Sequence, residues 1–451
     1  MTDEPRRRGR SVGAAVSALV GRVGAAGGFA LSSILLARQL DKADFGVVTV
    51  LTSIATATSF IAAAGLNRVL LRDVAGALAL GERARVLGDV RTAVRVLAIS
   101  TPIGAAATLA LARVFVPDTA WPAVAMAAAV TVGLAVLLVG ADLLRGLGEV
   151  TVSNLTTGRS GGALGLALFC AVLVLWQAAL GPTEAMGAYA AAVGVAAAVA
   201  VGAVVVRLRS HHAHPRPDGD TVDTSARAGL WSTARAGWPF AVTQLALFLT
   251  SQVDLWVASG SLGDTAAGTY GAALRLMTLV SLPLQAAQLT VVARIAALHA
   301  TGRRIELQQR SQRAALVAGL PALVVLVPCI VVPGLLLETL FGPEYAAAAL
   351  PLQALALAQA VNVASGLCGV VLSMTGHERA MLVTALAGAG ATAALAYVGG
   401  QLDGIDGLAV GSAVSTATMF AALWLLARVR AGVWTHPWPA RLTPPGPAGR
   451  P

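Results

Sequence analysis

The sequence predicts an all-α integral membrane protein of about 12 transmembrane helices in two six-helix bundles. Three observations predict it. Of the 451 residues, 57% are hydrophobic and only 12% are charged, against roughly 25% charged in a soluble domain. The apolar residues fall into runs long enough to span a bilayer, and the basic residues collect in alternate connections between those runs.

A helix needs about 20 mostly apolar residues to cross the hydrocarbon core. The runs that meet this are Val12–Ala37, Phe45–Leu66, Val96–Val116, Trp121–Leu144, Gly161–Leu180, Met186–Val206, Trp238–Ala258, Tyr270–Val292, Ala314–Leu337, Ala347–Met374, Ala380–Val398 and Leu408–Ala427. Lipid cannot satisfy an open strand edge, so each run is read as a helix. The start, with Arg6, Arg7, Arg8 and Arg10 ahead of an apolar stretch, resembles a signal peptide. Its apolar run is too long for one, and it is read as an uncleaved first span.

Charge tests the count. Arg38, Lys42 and Arg113 fall on one side of the membrane, and Arg22 and Arg275 fall inside spans, which leaves 27 of the 32 basic residues on the other side. The sparse side carries acids instead, Asp41, Asp44, Asp118, Glu184 and Asp264 among them. The positive-inside rule makes the basic side cytoplasmic, with both termini there, in a bacterial-type inner membrane. A net charge of +10 dispersed in this way argues against nucleic acid as a partner. Cys170, Cys329 and Cys368 lie apart within apolar runs, as buried filler with neither disulfide nor metal role. No metal site or cofactor is expected.

The longest polar connection divides the chain into a tail over 1–11, a bundle over 12–206, a linker over 207–237, a second bundle over 238–427 and a tail over 428–451. The linker holds His211, His212 and His214, read as a solvated loop or, less simply, a metal site. Segments recur between the halves. LARQLDKADFG (36–46) resembles ASGSLGDTAAGTYG (258–271), and VFVPDTA (114–120) resembles LFGPEYA (340–346). Parallel repeats of this kind suit a transporter whose halves rock about a central cavity.

Four segments carry a family resemblance. They are ILLARQLDKADFGVVTVLTSI (34–54), QVDLWVASGSLGDTAAGTYGAALRL (252–276), LFGPEYAAAALPLQALALAQAVN (340–362) and GIDGLAVGSAVSTATMF (404–420). In this order they resemble Wzx-type polysaccharide flippases, the polysaccharide transporter branch of the MOP exporter superfamily. The resemblance implies two six-helix bundles forming a V, and alternating-access export of undecaprenyl- or other polyprenyl-pyrophosphate-linked oligosaccharides. It implies no enzyme activity, and it makes a polysaccharide polymerase and glycosyltransferases expected partners alongside membrane lipids.

Ionisable residues inside spans are costly and so point to function. Arg22, deep in the first span, is read as a cavity cation for the substrate pyrophosphate, or as an arginine that snorkels or binds a carbonyl. Asp254 and Arg275 lie at similar depth in spans seven and eight, as a gate pair, a coupling carboxylate or a static salt bridge. Asp142 and Arg145 are three apart at a helix end, where they can pair on one face. Arg68 and Arg72 follow span two, lining the cytoplasmic mouth or anchoring it. Gln244 and Ser251 run toward Asp254, and Gln359, Asn362 and Ser365 form a second stripe. Both suit sugar hydroxyls or helix–helix hydrogen bonds. Pro283, Pro321, Pro328 and Pro333 are expected to kink their helices.

Two rivals remain. A MATE-like cation-coupled multidrug antiporter needs a carboxylate-rich cavity, for which Asp254 and Asp142 are the candidates. A polytopic glycosyltransferase or polymerase could use Asp41 and Asp44, but the outer loops are short for an acceptor site. RDVAGALALGERARVLGDVR (72–91) lacks the G-x-x-x-D-R-x-G-R-R pattern of major-facilitator sugar permeases.

Overall fold

The structure is a computed structural model that describes residues 4–158, 160–176, 178–212 and 229–437. Among the described residues it is all α, with no strand. In chain order the helices are α1 (Glu4–Gln39), α2 (Lys42–Ala63), α3 (Leu66–Ala79), α4 (Arg83–Phe115), α5 (Trp121–Gly146), α6 (Val150–Thr156), α7 (Gly162–Leu175) and α8 (Pro182–His212). There follow α9 (Leu230–Leu249), α10 (Val253–Leu262), α11 (Asp264–Ala300), α12 (Arg304–Val331), α13 (Pro333–Leu340), α14 (Ala349–Ser365), α15 (Cys368–Met374) and α16 (Glu378–Leu426). Each of the twelve predicted ranges lies mainly on helix; Gly161–Leu180 runs past the end of α7 at Leu175, and four others contain a break or turn. Seven described helices are long and apolar enough to span a membrane by themselves, and α9 with α10 makes an eighth, bent by 57°. The two arms of α16 meet at Asp403 and Gly404, which leave helical geometry; each arm holds one predicted span.

The chain forms two compact units, 1–271 and 272–451. The first therefore continues past the 207–237 linker, through α9 and α10, to Gly271. Residues 213–228 of that linker, His214 included, lie outside the described residues, as do the side chains of His211 and His212.

In the first unit α2 is the central helix. It packs on α4, α5, α8, α9 and α10, while α1 packs on α6 and α7. Asp41 caps α2, its carboxylate accepting from Asp44 N–H at 2.8 Å. The helix ends where Ala64 and Gly65 turn left-handed, at φ 49° and 67°. Such a turn frees the chain to change direction, and α3 runs on from it. The sequence predicts no helix for this connection after span two. Instead it folds as an amphipathic helix that buries Val69, Leu70, Val74 and Ala77 and exposes Arg68 and Arg72. Midway along the bundle the buried hydroxyls of Thr58, Thr108 and Thr131 bond one another at 2.7–3.1 Å, joining α2, α4 and α5.

In the second unit α14 packs on α12 and α16. α14 breaks at Gly366, φ 68°, before α15. The break frees carbonyls, and Thr435 Oγ1 donates to Ser365 O at 2.6 Å. α11 and α12 run on through Pro283, Pro321 and Pro328, whereas Pro333 begins α13. The three cysteines are buried and free.

Candidate functional site

In the first unit polar residues gather along α2. Beside its middle, at Ser53, the break between α9 and α10 brings in Gln252 and Trp256, with Asp254 on the same turn of α10. Ser53 on α2 donates to Gln252 Oε1 at 3.1 Å and accepts from Trp256 Nε1 at 3.0 Å. Asp254 is only 3% exposed. Its carboxylate accepts from the Tyr270 hydroxyl at 2.5 Å and from Leu255 N–H at 3.0 Å. Placement in the first turn of α10 adds the positive end of the helix dipole. These donors satisfy a carboxyl group that would otherwise be costly in so buried a place. Arg275 lies in the second unit, five residues beyond Tyr270 on α11, and is partly buried.

The turn from α10 to α11 sits directly on the start of α2. An ideal Cβ on Gly46 would lie 2.1 Å from Asp264 O and 2.7 Å from Gly268 N, and one on Gly268 would lie 1.9 Å from Lys42 O. Only glycine permits backbones this close. In the repeated segments L-D-K-A-D-F-G (40–46) and L-G-D-T-A-A-G (262–268), Gly46 and Gly268 hold the same place. Equivalent positions of the repeat thus meet here, within the first unit. Ser259 Oγ donates to Phe115 O at 2.7 Å and Asp264 Oδ1 at 3.0 Å. Burial, helped by the charge of Asp118, holds the Asp264 carboxyl above its ordinary range, and the Ser259 hydrogen bond offsets part of the rise.

At the other end of α2, Gly65 meets Gly237 of α9. A Cβ on Gly65 would lie 1.9 Å from Gly237 O. Nearby, Asp142 Oδ1 accepts from Arg145 at 2.8 Å and Oδ2 accepts from Asn67 at 3.1 Å, while Arg145 also donates to Thr157 at 3.2 Å. The predicted Asp142–Arg145 pair is present as an ion pair. Asn67, 75 residues away in sequence, was invisible to spacing. Arg68 is exposed, and Arg72 is exposed and paired with Asp73 at 2.8 Å. Neither joins this network.

Other expected residues stand apart. Arg22 lies on α1, and its side chain is outside the described residues. The Gln244–Ser251–Asp254 stripe assumes one straight helix. The bend at Thr250–Gln252 interrupts it, leaving Ser251 exposed and Gln244 partly buried on α9. In the second unit Asn362 donates to Gln359 at 2.9 Å, and Ser365 to Val361 O at 2.7 Å and to Phe420 O of α16 at 3.4 Å.

The fold is that of the MOP-superfamily transporters. An inward-facing multidrug resistance MATE family transporter of that superfamily superposes with a TM-score of 0.72 at 15% identity, covering 93% of this chain and 98% of the other. An outward-facing structure of such a transporter gives 0.57 at 16%, over 92% and 95%. The MATE multidrug transporter DinF-BH in complex with R6G gives 0.60 at 14%, over 92% and 94%. Among curated proteins no relative matches the sequence. The family is nevertheless defined, because residues 15–295, over half of the chain, match the model described as polysaccharide biosynthesis protein. The chain belongs to that family.

Proposed function

We propose that the protein flips polyprenyl-pyrophosphate-linked oligosaccharide across the cytoplasmic membrane by alternating access, for polysaccharide biosynthesis. Membership of the polysaccharide biosynthesis family carries this reading. The two six-helix halves, 12–206 and 238–427, move against each other, with both termini cytoplasmic. The lipid tail stays in the bilayer while the charged head crosses between the halves. Arg22 offers the pyrophosphate a guanidinium, whose planar fork suits phosphate oxygens. Gln244 and Asn362 contact sugar hydroxyls, while Arg68 and Arg72 draw the head to the cytoplasmic mouth.

The crossing of Gly46 with Gly268 supports the outer closure in this scheme, and that of Gly65 with Gly237 the inner one. Each is backbone on backbone, with no side chain to reorganise, so it separates and re-forms as a unit. In this scheme Asp254, bonded to Tyr270, Arg275 and Asp142 serve as gating or coupling residues.

The test is membrane sidedness of lipid-linked oligosaccharide after deletion of the gene. Accumulation on the cytoplasmic leaflet, reversed by the wild type and not by Arg22→Ala at equal membrane abundance, is the expected result. An unchanged lipid-linked pool, with altered sensitivity to cationic drugs, would replace flipping by antiport.

A further inference from the structure

The second unit holds a cavity of about 520 Å³ lined by Gly376, His377, Arg379, Ala380, Val383, Thr384, Leu426 and Arg430. Its volume lies within the range of small-molecule sites. It is built where the chain enters α16 and where it leaves, so the far ends of the two α16 arms come together around it. Its chemistry is one-sided. Three of the lining residues are basic or imidazole and none is acidic; Glu378, exposed on the same turn, is not among them.

The cations are available. Arg428, two residues before Arg430, is engaged, lying 5.1 Å from the Trp434 ring centroid and donating to Gly432 O at 3.0 Å. Arg379 and Arg430 have no ion pair or hydrogen bond from their side chains among the described residues. The Thr375 hydroxyl holds His377 Nδ1 at 3.0 Å, which leaves Nε2 for a ligand. Below them the wall is apolar, with Val383 65% exposed and Val429, beside the cavity, 75% exposed. Two uncompensated guanidiniums above an apolar wall at a helix-end boundary match a phosphate headgroup above its acyl chain.

We propose that this cavity binds the headgroup of an anionic phospholipid, with Arg379, Arg430 and His377 on the phosphate and Val383 and Leu426 against the chain. The site is separate from the residues assigned to the transported substrate. General anchoring of basic helix ends at the interface would instead be insensitive to which arginines are removed.

The experiment is native mass spectrometry of the full-length protein titrated with phosphatidylglycerol or phosphatidylcholine. One phosphatidylglycerol is expected to bind in preference to phosphatidylcholine. Arg379→Gln with Arg430→Gln should weaken it about tenfold or more, and His377→Ala should weaken it further. Arg294→Gln with Arg310→Gln removes the same charge elsewhere in the unit and should leave binding unchanged. Equal losses in the two double variants, or no preference between the lipids, would overturn the proposal. Displacement by millimolar inorganic phosphate would show a free-anion site, and tighter binding of a polyprenyl phosphate would show a substrate portal. Either overturns the phospholipid assignment.

Discussion

Replacing Gly46 by alanine places a methyl group where the backbone of α11 now runs. Its Cβ would stand 2.1 Å from Asp264 O. Reaching an ordinary separation of about 3.5 Å requires a shift of about 1.4 Å, the difference between the two. The atoms met are backbone, so no side chain can swing aside and the helices must part. Overpacking of this kind costs about 1–3 kcal/mol, or about fivefold to 150-fold in the population of the packed arrangement. The neighbouring pair Thr49 and Gly271 supplies the assay. A Cβ built on Gly271 lies 3.7 Å from Thr49 Cβ, within the disulfide range. With Cys170, Cys329 and Cys368 replaced by alanine, Thr49→Cys/Gly271→Cys should cross-link readily in native membranes. Adding Gly46→Ala should slow that cross-link about fivefold or more. Gly194→Ala, where an added Cβ meets nothing within 4 Å, should leave it unchanged. Wild-type cross-linking in Gly46→Ala, with normal insertion, would refute the reasoning.

Three further outcomes follow from the same geometry. The raised Asp264 pKa means that burial of this group is most favourable when it is protonated, so its contribution is full near and below the ordinary value of 3.8 and is lost as pH rises through the raised one. Thermal stability of the wild type should therefore gain on Asp264→Asn as pH falls through that window, and a constant difference would exclude the effect. Thr131→Val removes one hydroxyl from the Thr58–Thr108–Thr131 cluster; because its partners also bond backbone carbonyls, the cost should be only about 0.6–1.7 kcal/mol in detergent unfolding. Thr435→Val strips the donor from Ser365 O and should cost about 1–3 kcal/mol, read as a lowered Tm that Thr435→Ser restores.

The spans were legible because the bilayer demands them: each predicted range lies mainly on helix, and lipid leaves the backbone few alternatives. The Asp142–Arg145 pair was legible for a similarly local reason, since three residues separate its members on one helix. Asn67, the third member, arrives through the turn at Ala64 and Gly65, which no periodicity announces. α3 was missed because its buried apolar residues are interleaved with Arg68, Arg72 and Asp73, and such a stretch is passed over when the criterion is a long apolar run. It lies against α4, α5 and α9, and that packing decides its fold.

The breaks in the helices teach the converse lesson about proline. The sequence marks Pro283, Pro321, Pro328 and Pro333 as places to bend; α11 and α12 stay helical through the first three, and Pro333 follows the break at Val332. Other departures, at Thr250–Gln252, at Gly366 and at Asp403–Gly404, contain no proline. A proline removes one hydrogen bond and adds a clash, a perturbation the rest of a long helix can absorb. A break needs new partners for several freed backbone groups, and at Gly366 one of them comes from Thr435, 70 residues away in sequence. Breaks are therefore written in tertiary contacts. The Gly46–Gly268 crossing lies between these cases: each glycine is unremarkable alone, and only the repeat that aligns them hints that the two helices meet.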